Sequence, residues 1–119
     1  MRRLALAFAV ALVAVPAAGA KDGVRATLTS PLPKHAAMGT KLVVTFTLRD
    51  ADGHPFNAER VFVKIICPTK DASTIAFASR AAHVDGRYRV VATVPSGGLG
   101  TIRIGLRGST DIYFPIKNH

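Results

Sequence analysis

The chain has no tryptophan, two methionines and a single cysteine, Cys67. A lone cysteine excludes an intramolecular disulfide framework and every CxxC zinc or thioredoxin-type site. Acidic residues are scarce: 7 Asp and Glu stand against 16 Lys and Arg, a formal charge of +9. That imbalance points to anionic rather than cationic partners. Only 19% of the 119 residues are charged and 49% are apolar. Such a composition excludes a disordered chain, and the length leaves room for one ordinary domain. Beyond residue 20 no stretch approaches the ~20 apolar residues that a membrane-spanning helix needs.

Much of the apolar excess sits at the N-terminus. Met1-Arg2-Arg3 is a positive opening, Leu4 to Val15 is an unbroken apolar run, and Pro16 ends it. Ala18-Gly19-Ala20 then supplies the small residues that a signal peptidase reads. The pattern predicts a signal peptide over residues 1–20, cleaved before Lys21, and a secreted or periplasmic mature chain over residues 21–119. A membrane anchor is the rival reading, but the run is short and ends in Pro and Gly. No transmembrane segment is expected after cleavage.

The mature chain alternates with period two. In Lys41–Arg49 (KLVVTFTLR), Leu42, Val44, Phe46 and Leu48 share one face, as in a strand buried on one side. Arg60–Cys67 points Val61, Val63, Ile65 and Cys67 inward, and Phe62, Lys64 and Ile66 outward. Ser73–Ser79 is a weaker strand with Ile75 and Phe77 inward. Arg87–Val94 buries Tyr88, Val90, Ala92 and Val94, and Thr101–Arg107 buries Ile102, Ile104 and Leu106. Shorter strands at Val24–Thr29 and Asp111–Ile116 close the ends. Turn residues separate these runs, among them Asp50 to Pro55, Asp85-Gly86 and Pro95-Ser96-Gly97-Gly98. About seven short strands at this spacing predict an all-β antiparallel sandwich, with a small barrel as the alternative.

Gly39 before LVVTFTL, Asp50-Ala51-Asp52-Gly53-His54-Pro55, Ala58 before VFVKI, Asp85-Gly86-Arg87-Tyr88, and Gly98 and Gly100 before IRIGL form a set. Through them the stretch from Pro31 to Ile116 resembles the YtkA-like and related bacterial extracytoplasmic immunoglobulin-like domains. Ile102 stands where that family often carries Trp. The resemblance implies an immunoglobulin-like sandwich in a secreted or membrane-tethered module. Some such modules are linked to metal handling or to larger envelope assemblies.

Several residues invite a chemical reading. Gly53, Gly86 and Tyr88 read as structural: two turn glycines, and a tyrosine whose hydroxyl bonds back to the turn backbone. Asp50, Asp52, Asn57 and Glu59 could suggest calcium, but Gly53 and Glu59 fall at the wrong places for an EF-hand loop. A turn closed by Asp-Gly explains the same residues. His35 and Met38 are soft ligands that would suit Cu(I), yet no repeated His/Met pattern accompanies them. Cys67 reads as a small buried hydrophobe, with a disulfide-linked dimer as the alternative. No G-x-S-x-G elbow occurs, Gly97 to Gly100 precedes a strand rather than a helix, and no carboxylates pair on one strand face. Neither catalysis nor a cofactor is expected, and the chain is expected to be a monomer.

One charge pattern remains. Arg87, Arg89, Arg103 and Arg107 fall on the outward parity of two consecutive long strands, with Lys64 on a third. If the consecutive strands pair, one sheet face carries the four arginines, with Lys64 as a candidate neighbour, and suits an anionic envelope polymer or lipid headgroup. An exported chain meets nucleic acid less readily. Two other readings stay open: a metal-handling protein, and an accessory subunit docking on an envelope protein. A solvated sheet surface would explain the same charges without any partner.

Overall fold

A computed structural model describes residues 23–69 and 71–118; the expected signal peptide and His119 lie outside the described residues. Among the described residues there are nine strands and no helix. They are β1 (Arg25–Leu28), β2 (Lys41–Arg49), β3 (Val61–Ile66), β4 (Ser73–Phe77), β5 (Ser79–Arg80), β6 (Arg87–Thr93), β7 (Thr101–Leu106), β8 (Ile112–Phe114) and β9 (Ile116–Asn118). One sheet has five strands in the order β5-β6-β2-β1-β9, the other four in the order β4-β3-β7-β8. The two pack together as a sandwich. No described helix is long and apolar enough to cross a membrane.

Period-two burial builds the core. Leu42, Val44, Phe46 and Leu48 of β2 face Ala92, Val90, Tyr88 and the β1 residue Ala26 through antiparallel registers. All are buried, and Val61, Val63, Ile65 and Ile104 meet them from the opposite sheet. Phe46 and Tyr88 are direct cross-strand partners whose rings stack with centroids 5.4 Å apart. Each large side chain buried in such a core contributes roughly 1.5–3 kcal/mol.

Ser73–Ser79 is not one strand: the chain leaves the four-stranded sheet after Phe77 and enters the five-stranded sheet at Ser79. Three further features differ from the strand pattern read in the sequence. First, Asp111–Ile116 is not one strand. Pro115 interrupts it, and the chain passes from β8 in one sheet to β9 in the other, where the Ala26 amide bonds to the Pro115 carbonyl at 2.9 Å. Second, β9 runs parallel to β1, so the five-stranded sheet is not wholly antiparallel. Third, the parity of β4 is reversed. Ile75 and Phe77 are 42% and 51% exposed, while Thr74 and Ala76 turn inward. The partner strand decides this: Ala76 lies opposite Val63 and Thr74 opposite Ile65. Beside such bulky inward residues only small side chains fit, and the Thr74 hydroxyl bonds to the Thr93 carbonyl of the facing sheet.

A second set of bonds ties residues 55–58 to the β5–β6 connection. Asn57 Oδ1 accepts the Gly86 amide at 2.7 Å, and its Nδ2 donates to Asp85 at 3.1 Å. The Leu48 amide donates to the Gly86 carbonyl at 2.7 Å. Gly86 sits at φ +74, and a Cβ there would lie 2.8 Å from the Leu48 carbonyl oxygen. A left-handed backbone and a close approach thus both require glycine.

Candidate anion-binding face

β6 and β7 do not pair. The segment between them, with Gly97 and Gly98 both at positive φ, carries the chain from one sheet to the other. The four arginines expected on one face, with Lys64 beside them, are therefore divided. Arg87 and Arg89 lie on the outer face of the five-stranded sheet, and Lys64, Arg103 and Arg107 on that of the four-stranded sheet.

On the five-stranded sheet the registers assemble a different cluster. Arg87 lies opposite Thr47, Thr47 opposite Thr27, and Thr27 opposite Lys117. In the next row Arg89 lies opposite both Thr45 and Ser79, and on the other side Arg25 faces Arg49. A floor of threonines is thus flanked by Arg87, Arg89, Arg25, Arg49 and Lys117, all exposed. No Asp or Glu occurs in any strand of this sheet. Among the described residues none of the five has a carboxylate within ion-pair distance; the pairs formed are His54–Asp50, Arg80–Asp85 and Arg107–Asp111.

The hydroxyls are ordered. Thr29 Oγ1 donates to Thr45 Oγ1 at 2.7 Å, and Ser30 Oγ lies 3.0 Å from the same atom. Next to them a shallow depression of about 320 Å³ opens between Thr29, Thr45, Ala81, Arg87 and Arg89. Guanidiniums beside hydroxyls on a rigid sheet match the oxygens of a phosphate or carboxylate. Arg49 donates from one guanidinium nitrogen to the Gly53 carbonyl at 2.9 Å, yet its strand position still opposes Arg25, and like charges so placed destabilise a strand pair. An anion on this face would offset that repulsion.

The opposite outer face has another character. Phe62 points outward as its parity requires, yet is fully buried, because Phe77 and Tyr113 pack edge-on against it at 6.1 and 5.8 Å. Gly105 makes room for the Phe62 ring, since a Cβ there would lie 2.9 Å from it. The Arg107 guanidinium lies 5.1 Å above the Phe62 ring and bonds both oxygens of Asp111 at 3.1 Å. That pairing raises its pKa above the ordinary value. With its fork already engaged, Arg107 is withdrawn from anion binding. Arg103 lies 5.0 Å over the Tyr113 ring, and Lys64 is its direct cross-strand neighbour.

The remaining candidates stay apart. His35 and Met38 are both exposed in the segment between β1 and β2, and His35 joins no described cluster of metal-ligating side chains. The ligand atoms of Asp50, Asp52 and His54 lie within 4.8 Å of one another. Asp50 Oδ1, however, already accepts the amides of Asp52 and His54, each at 2.9 Å. The bond from His54, foremost, holds the Asp50 carboxyl below its usual pKa. Gly53, at φ +87, completes this turn. Asn57 is used elsewhere, against Gly86. Cys67 is buried, with the Thr69 amide 3.4 Å from its sulfur. An apolar cleft of about 480 Å³, walled by Leu28, Leu32, Leu99 and Ile102, has Ser30 and Lys34 among its polar lining.

Arg25, Arg49 and Lys117 escaped the sequence reading. Arg49 was visible on the outward parity of its strand, but only the β1–β2 and β1–β9 registers bring Arg25 and Lys117 beside it. Comparison of the chain with models of protein families, with curated proteins and with solved structures gave no match.

Proposed function

We propose that the chain is a small exported immunoglobulin-like binding module that holds an anionic envelope partner on its five-stranded sheet and performs no catalysis. The partner's chemistry is a phosphate- or carboxylate-bearing polymer, or a lipid headgroup with the same groups. One observation carries the reading: Arg87, Arg89, Arg25, Arg49 and Lys117 surround a threonine floor on a sheet whose strands hold no carboxylate. Export rests on the arginine pair, apolar run and Ala18-Gly19-Ala20 of the N-terminus. The immunoglobulin-like assignment rests on the two-sheet architecture together with the turn residues of the YtkA-like resemblance.

The test uses the mature chain and three surfaces: phosphatidylglycerol vesicles, phosphatidylcholine vesicles and isolated anionic wall polymer. Binding to at least one anionic surface at low salt is expected, with release near 1 M salt, where screening shortens to about 3 Å. The two anionic arms distinguish headgroup from polymer. Equal retention on the neutral vesicles, or retention that salt leaves unchanged, overturns the proposal.

A further inference from the structure

We propose that two copies of this chain pair through β4, joining their four-stranded sheets edge to edge about a twofold axis. The order β4-β3-β7-β8 leaves one side of β4 without a strand. Which backbone groups face that side follows from the ladder. The Cys67 amide bonds to the Ala72 carbonyl at 3.0 Å and the Ala78 amide to the Val61 carbonyl at 2.8 Å. Hydrogen-bonded pairs alternate in an antiparallel ladder, so the intervening register turns Thr74 and Ala76 toward β3. The amides and carbonyls of Ser73, Ile75 and Phe77 therefore point outward, with no strand partner among the described residues.

Natural sheets guard such edges with charge, proline or short length. The other three described edge strands are guarded in these ways, although β5 pairs with only Tyr88 and Arg89 of β6. β5 has two residues and carries Arg80, β8 has three residues and ends against Pro115, and β9 has three residues and carries Lys117. β4 is longer, with the sequence STIAF, and has no charge, proline or glycine. Its outward side chains Ile75 and Phe77 are 42% and 51% exposed. Phe77 is already held against Phe62 and under Arg107, at 6.1 and 5.6 Å, so little further ordering would be lost on docking.

Self-pairing suits this strand better than pairing with a stranger. A twofold axis at Ile75 sets Ile75 against Ile75 and Ser73 against Phe77, so every outward backbone group finds a partner. Exposed Asp71 precedes β4, and exposed Arg80, which lies 3.6 Å from Asp85 of its own chain, follows it in β5 of the other sheet. Antiparallel pairing brings Asp71 of one copy toward the Arg80 end of the other, whereas parallel pairing would oppose Asp71 to itself. Lys64 lies one strand behind the edge. The two copies of Lys64 would be three strand spacings apart, roughly 14 Å, well beyond the screening length of about 8 Å at physiological salt. This inference departs from the monomer expected from the sequence and is independent of the anion-binding proposal.

Sedimentation equilibrium of the mature chain tests it, alongside Ile75→Lys and Ile75→Pro. The Ile75 amide takes no part in the bonds to β3, so proline removes only an outward donor, as edge strands tolerate. The expected result is a concentration-dependent dimer, resistant to high salt, and monomers for both variants with unchanged circular dichroism. A wild-type chain that stays monomeric at millimolar concentration overturns the proposal. So does a dimer that persists in either folded variant.

Discussion

The hydroxyl of Tyr88 accepts the amide of Ala58 at 2.8 Å, across 30 residues of chain. The same hydroxyl donates to the Phe56 carbonyl at 3.1 Å. The sequence has Tyr88 bond its own turn; the hydroxyl instead reaches the segment that leads from β2 into β3, which the Phe56 amide also ties to the Leu48 carbonyl. Tyr88→Phe leaves the ring stacked on Phe46 but strands the Ala58 amide. The expected cost is about 1–3 kcal/mol, measured by urea denaturation. An unchanged midpoint would show that water replaces the hydroxyl at no loss.

Burial raises the Tyr88 pKa above its ordinary value, more than the Ala58 bond lowers it. The folded state therefore keeps this proton more tightly than the unfolded chain. Its contribution to stability is complete below the unfolded value of about 10 and is lost as pH climbs through the higher folded value. Wild type should lose stability above about pH 10 more steeply than Tyr88→Phe. Denaturation midpoints across that range, parallel for the two proteins, would contradict it.

Gly86 and Gly53 offer a controlled pair. Both have positive φ, but a Cβ at Gly86 would meet the Leu48 oxygen at 2.8 Å, while at Gly53 nothing lies within 4 Å. Gly53→Ala should cost only the left-handed penalty of about 1–2 kcal/mol. Gly86→Ala should cost clearly more. Equal thermal shifts would mean that the backbone around Leu48 and Pro55 yields freely.

Phe46 tests the core. It is fully buried between the sheets, and Phe46→Ala should cost about 3–5 kcal/mol. A loss below about 1 kcal/mol would be incompatible with a side chain packed on all sides.

The strands that bury one face were legible because their two faces differ in kind. Leu42 to Leu48 alternate with Lys, Val, Thr and Thr, and only one register hides the large apolar set. β4 was misread because both of its faces are apolar or small. Size alone would send Ile75 and Phe77 inward, and only the position of β3 reverses them. The arginine cluster failed for a different reason. Outward parity is a local property, but whether consecutive strands share a sheet depends on the path of the connection, and the glycines after Pro95 permit a hairpin or a crossing equally. Arg25 and Lys117 lie on short strands at the two ends of the chain, brought within one strand of each other by a parallel pairing that no local pattern announces.

The central claim is that place, and not net charge alone, makes the five-stranded sheet the binding face. Two double variants change the charge equally: Arg87→Glu/Arg89→Glu on that sheet, and Lys64→Glu/Arg103→Glu on the other. Their affinities for the same anionic surface, measured at one salt concentration with both folds verified, test the claim most directly. The first pair is expected to weaken binding at least about tenfold more than the second, a difference of about 1.4 kcal/mol. Equal losses would contradict it.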